Sequence, residues 1–177
     1  YIDKAEQLDK VFIHEYDKFF TVAKDAKIQL EFDLESVDSY RLIGYENRVL
    51  ENEDFENDST DAGEIGASQC ITALYEIIPA SNPGTNLASM EFRYKKPDES
   101  SSRLLSENIS FSPQPFAESS ENMRFAVSVA ALGLMLKESE YKGKLDYPMI
   151  LEWAEDAVSY DPFGFKNEFI DIIKKVD

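Results

Sequence analysis

The 177-residue sequence has one cysteine and one histidine, and most chemistry built on those side chains is closed to it. Cys70 alone cannot form an intrachain disulfide, and its place in QCITALYEII predicts a small buried thiol. His14 stands between Ile13 and Glu15 on a helical pattern, far in sequence from Cys70, so a nucleophile and base pair lacks its parts. One Cys and one His also fall short of a tetrahedral zinc site. Basic residues are scarce: eighteen Lys and Arg stand against thirty-five Asp and Glu. The net charge of -17 repels phosphate backbones and anionic headgroups, which excludes nucleic acid as a natural partner. No run of about 18 apolar residues is present, so this segment has nothing to insert directly into a membrane. The opening YIDKAEQLDK lacks the charged-then-apolar layout of a signal peptide. Tyr instead of Met at position 1 suggests an excised piece, with any export signal upstream.

What is present is the composition of a folded protein, 43% hydrophobic and 12% aromatic, long enough for one large or two small domains. In residues 3–24, Leu8, Val11, Phe12, Phe19 and Phe20 fall at helical spacings between charges, with Asp3 as N-cap. Ile28, Leu30, Phe32 and Leu34 then alternate with polar residues as one face of a strand. A second strand holds Tyr40, Leu42, Ile43 and Tyr45, and CITALYEII reads as a central strand with Ile71, Ala73, Tyr75 and Ile77 inward. LASMEFRYK alternates as a half-exposed antiparallel strand, KKPDESSS turns, and RLLSENISF is a weaker strand. From Pro113 the pattern becomes helical. Ser119 or Ser120 caps a helix to about Ser139 with Phe125, Val129, Leu132, Met135 and Leu136 inward. Asp146 opens a second helix and Asp161-Pro162 a third.

This order predicts an α+β fold: an N-terminal helix, an antiparallel β-sandwich-like sheet block, and a C-terminal segment of about three helices. The corresponding boundaries are 1–24, 25–116 and 117–177.

The stretch that looks most like chemistry is ENEDFENDSTDAGE, 51–64, with seven carboxylates. Tested against D-x-[DN]-x-[DN]-G-x5-E, it offers Asn57, Ser59 and Asp61, but the glycine arrives one place late at Gly63 and position twelve is Ser68. It is not an EF-hand. A solvated connector is the plain reading, and an irregular calcium loop through Asp54, Asp58, Asp61 and Glu64 is the alternative, since hard cations accept scattered oxygens. Asp98, Ser100 and Ser102 spell the D-x-S-x-S of a metal-dependent adhesion site, yet they follow Lys95, Lys96 and Pro97 after a half-polar strand, where a turn belongs. Gly63 and Gly66 read as permissive backbone where the loop enters a strand. Among thirty-five acids, spacing singles out no pair for glycoside chemistry, so no catalytic residue is assigned.

YRLIGYENR, 40–48, with DAGEIGASQCITALYEI, 61–77, resembles the C-terminal domain of unknown function that follows the von Willebrand factor A domain in certain bacterial proteins. VAKDAKIQLEF, 22–32, FRYKKP, 92–97, and DPFGFKNEFIDIIK, 161–174, agree in order and spacing. Where such domains usually read Gly-His after the second loop glycine, this chain has Ala67-Ser68-Gln69. The resemblance implies that residues 1–24 are the last helix of a preceding A domain, which would hold the adhesion-type magnesium site. It also implies a non-catalytic accessory module of a bacterial cell-envelope protein, periplasmic or a surface lipoprotein, whose partners are that upstream domain and an unidentified protein. No cofactor is implied for this segment.

Overall fold

The computed structural model describes residue 8 and residues 10–45 and 50–176. The fold is α+β, with six strands among the described residues of the first two thirds and the long helices toward the C-terminus. Two compact units are present: Tyr1–Arg41, Tyr45–Ile71 and Ile77–Phe111 form the first, and Leu42–Gly44, Thr72–Glu76 and Ser112–Asp177 the second.

In the first unit, β1 (Thr21–Phe32), β3 (Gly63–Gly66), β5 (Asn86–Lys95) and β6 (Arg103–Ser110) form an antiparallel sheet of order β3-β1-β5-β6. Strands β2 (Val37–Ile43) and β4 (Leu74–Pro79) form a separate two-stranded sheet. Between β2 and β3 lies the single-turn helix α1 (Asn52–Glu56), which buries Phe55; Ala23, Phe32, Val37 and Ala88 are also buried. The Phe32 and Tyr40 rings approach to 4.3 Å.

From residue 10 onward the helix expected over residues 3–24 is replaced by a π-type turn at Lys10–His14, a 3-10 turn at Tyr16–Phe19 and the start of β1 at Thr21. Residues 3–7 and 9, including the Asp3 cap, lie outside the described residues. Helical spacing loses here to pairing: Thr21 and Ala23 face Gly66 and Ile65, and the Ala67 N–H donates to the Phe20 carbonyl at 2.8 Å. Of the face read as Ile28, Leu30, Phe32 and Leu34, only Phe32 is buried, while Ile28 and Leu34 are exposed.

The centre of the sheet is also different. CITALYEII is not a central strand; among the described residues its regular part pairs with β2 alone, and both Cys70 and Ile71 are exposed. The central strands are β1 and β5, each paired on both sides. Burial of Ile71 and of the Cys70 thiol therefore does not occur, because the strand begins only at Leu74.

The second unit holds α2 (Glu121–Leu136), α3 (Tyr147–Glu155) and α4 (Phe165–Val176). The caps are those the sequence offers. Ser120 Oγ accepts from the Met123 N–H at 3.2 Å, and Asp146 Oδ1 from the Met149 N–H at 2.8 Å. Asp161 acts across a turn: its oxygens accept from the Lys166 N–H at 3.2 Å and the Asn167 N–H at 3.0 Å, in the first turn of α4. Burial raises the Asp161 pKa, but the Asn167 and Lys166 N–H groups and the Asn167 amide outweigh it, so the carboxyl titrates below its ordinary range.

Ser128 and Ala131 on α2 and Ala154 on α3 are buried small residues that let the two helices approach closely. Leu132, Ile150, Ile170 and Ile173 fill the core around them. Ile150 and Ile173 have no exposed surface, a burial worth about 1.5–3 kcal/mol each. Val129 and Leu136, expected inward, are exposed because the buried face of α2 runs through Ser128, Ala131 and Leu132 instead.

Candidate functional site: an acidic loop held by lysines

The site begins with an irregularity in β1. One extra residue enters the strand between Lys24 and Lys27 relative to β5, and the same interruption shows between Ala23 and Ala26 relative to β3. Asp25, with φ at 50°, stands inside this bulge. Lys24 pairs with Lys95 and Lys27 with Arg93, and neighbours two apart on β5 share a face. Four cations, Lys24, Lys27, Arg93 and Lys95, therefore line one face of the sheet.

The acidic loop comes down on that face, and its backbone makes the contacts. Lys27, 3% exposed, donates from Nζ to the carbonyls of Asp54 at 2.9 Å and Asn57 at 2.7 Å. Those carbonyls belong to the end of α1 and the turn after it, groups that a helix terminus leaves without partners. Lys95 Nζ donates to the Asp58 carbonyl at 2.6 Å and to Asp25 Oδ2 at 2.8 Å. Asp25 Oδ1 in turn accepts from the Ala62 N–H at 3.3 Å. The Arg93 guanidinium lies over the Phe55 ring, 5.4 Å from its centroid, and its Nη1 donates to Ser102 Oγ at 2.8 Å.

The Lys95 hydrogen bond, opposed by burial and helped by the Ala62 N–H and the Lys95 and Lys27 charges, holds the Asp25 carboxyl below its usual range. Asp58 is also lowered, first by the Ser102 hydroxyl and then by the Ser102 N–H.

The four residues of the calcium alternative are spread among unrelated partners. Asp54 Oδ1 takes the Thr60 hydroxyl at 3.0 Å, Asp58 Oδ2 the Ser102 N–H at 3.3 Å, and Glu64 Oε2 the Thr21 hydroxyl at 2.9 Å, while Asp61 is exposed. Among the described residues no three acidic, His or Cys side chains are grouped to hold a metal ion. The carbonyls that would complete such a loop are taken by ammonium groups. Ser102 of the D-x-S-x-S run is likewise committed, to Arg93 and Asp58, and the run sits in the turn of an antiparallel hairpin between β5 and β6. Asp98 and Ser100 line an open cleft of about 440 Å³ together with Lys24, Asp25, Glu64 and Lys95.

Neither loop glycine has a positive φ. Gly66 is required for a different reason: a Cβ there would stand 2.7 Å from the Lys18 carbonyl carbon and closer still to its oxygen. Gly63 meets nothing within 4 Å. The turn after Gly66 is closed by Gln69, whose Oε1 accepts the Gly66 N–H at 2.9 Å.

Lys27 and Asp25 carry this arrangement and the sequence reading passed over both. Lys27 falls in phase with Gln29 and Glu31, on the face read as solvated, and nothing local marks it as buried. The Asp25 bulge has no glycine to announce it.

Comparison with known proteins gives the arrangement a family. Residues 17–86 and 81–177 match the family described as "Uncharacterized protein YfbK, C-terminal". "Uncharacterized protein YfbK" of Escherichia coli (strain K12) is 37% identical over 198 aligned positions, which cover 100% of this chain and 34% of that relative. The chain thus spans about a third of the length of the curated relative it matches. No solved structure matches it. The chain belongs to the YfbK C-terminal family.

Proposed function

We propose that the chain is a non-catalytic accessory module of a larger bacterial cell-envelope protein, docking to a preceding von Willebrand factor A domain and supporting that domain's protein–protein interaction or adhesion. The observation that carries this reading is the apolar surface at the start of the described chain. Phe12, Ile13, Tyr16, Phe19 and Phe20 are each more than half exposed. Tyr16 meets Phe19 and Phe20 edge-on, so the rings form one patch. Contiguous exposed aromatics mark interaction surfaces.

This patch straddles residue 17, where the family match begins, and two thirds of the Escherichia coli relative lies beyond the aligned stretch. The partner that best fits is therefore the preceding part of the same polypeptide. Any adhesion-type magnesium site belongs to that domain. Among the described residues no helix is long and apolar enough to cross a membrane.

The test is to make the preceding domain and the 177-residue chain as separate polypeptides and titrate one with the other by calorimetry. Binding that is lost in Phe12→Ser/Phe19→Ser/Phe20→Ser, with the melting of the chain unchanged, supports the proposal. No heat of binding, or binding untouched by the triple substitution, overturns it.

A further inference from the structure

The last strand of the four-stranded sheet ends in an open edge with an unusual sequence. β6, RLLSENIS, is exposed along its length except at the half-buried Ile109. Edge strands are commonly guarded by lysine, proline or a bulge of their own, and β6 has none of these. The Phe111 N–H donates to the Thr85 carbonyl at 2.9 Å, so Phe111 points its backbone toward β5. Alternation along the strand then turns the N–H and C=O groups of Leu104, Ser106 and Asn108 outward. Among the described residues nothing pairs with them.

We propose that β6 is the self-association edge of this chain, at which two copies pair antiparallel about a two-fold axis centred on Leu105. The register follows from charge and from hydrogen-bond parity together. Outward backbone groups sit on even-numbered residues, so the residue numbers of paired positions must sum to an even number. Centring on Leu105 sets Leu104 opposite Ser106 of the second copy as a hydrogen-bonded pair. It also sets Leu105 opposite Leu105, and Arg103 opposite Glu107 twice over, as pairs whose side chains approach closely. Moving the axis to Ser106 puts Leu105 opposite Glu107. An axis at Glu107 faces two carboxylates across the seam. One register alone joins opposite charges and apolar side chains at once.

The side chains are available for it. Leu105 is 57% exposed. It shares a face with Phe92 and Ile28, its partners across β5 and β1, and Ile28 is 55% exposed. Arg103 holds Glu99 through Nε and Nη2, leaving Nη1 free for Glu107 of the other copy. An interface of this kind is isologous and closes at two, giving a continuous eight-stranded sheet.

Sedimentation velocity of the 177-residue chain over a concentration series reaching the high micromolar range tests it. The expected result is a monomer–dimer equilibrium. Glu107→Arg places four cations at the seam and raises the dissociation constant about tenfold or more, and Arg103→Glu does the same with anions. Mixing the two variants restores the dimer, because each supplies the charge the other lacks. Ser106→Pro removes only an outward donor and abolishes the dimer with the melting of the monomer retained. A monomer at every concentration, or a dimer indifferent to Glu107→Arg and to mixing, overturns the proposal.

Discussion

The ammonium of Lys27 meets Asp54 at its backbone carbonyl, 2.9 Å away, and leaves the Asp54 carboxylate to Thr60. Charge alone pairs these residues through their side chains, whereas the fold uses the lysine as a donor to two carbonyls at the end of a single-turn helix. Lys27→Met keeps the apolar stem and removes both hydrogen bonds, leaving the Asp54 and Asn57 carbonyls without their partner. Equilibrium urea unfolding should show a loss of about 2–4 kcal/mol, with faster amide exchange at residues 57–60. Unchanged stability would mean that the loop is held elsewhere.

A calcium loop and a lysine-organised loop differ in what a divalent ion does. With the Asp54, Asn57 and Asp58 carbonyls taken by Lys27 and Lys95, calcium should leave the melting temperature where it is, and chelator should not lower it. A site saturated to one hundred times its dissociation constant would add about 2.7 kcal/mol, well within reach of thermal melting. A gain of that size, lost in Asp58→Asn, would sink the lysine reading.

The features that sequence revealed and those it hid differ in range. Capping at Ser120 and Asp146, the hairpin turn at 96–102 and the C-terminal helices depend on neighbours within a few residues, and all were legible. Burial of Lys27 depends on a loop about thirty residues away, and the loss of helix at 21–24 depends on Gly66 across the sheet. Ile71 and Cys70 looked like core because they are apolar, but the strand that would have buried them starts only at Leu74. Apolar composition states a preference for burial and not its outcome.

Asp25 should shape the acid limb of stability. Its folded pKa is depressed, chiefly by Lys95, so its contribution is complete above the unfolded value of about 3.9 and disappears as pH falls through the lower folded value. Asp25→Asn should therefore be less stable than the parent chain by about 2 kcal/mol near neutral pH. The two should converge below about pH 4 as the parent loses the pair. A gap that persists unchanged at acid pH would show that the carboxylate charge is not what matters.

Gly66→Ala should cost at least about 2 kcal/mol, because the new methyl group meets backbone of Lys18, which has no rotamer to give way. Gly63→Ala is the internal control, since nothing lies within 4 Å of the added carbon. Thermal melting of the pair decides the point: equal melting temperatures would remove the close approach from the account of Gly66.

The bulge in β1 also acts as a change of gear. Lys24 and Lys27 are three residues apart, a separation that in an uninterrupted strand sends side chains to opposite sides. Because of the extra residue, both look the same way and the cationic row is unbroken. Deleting residue 25 would leave the two lysines two apart in a regular strand, still opposite Lys95 and Arg93 and still facing the same way. What the bulge adds is one residue set aside from pairing with either neighbour, and that residue, Asp25, is given instead to the Lys95 ammonium and the Ala62 N–H. The strand spends a place in its ladder to fasten the loop above it.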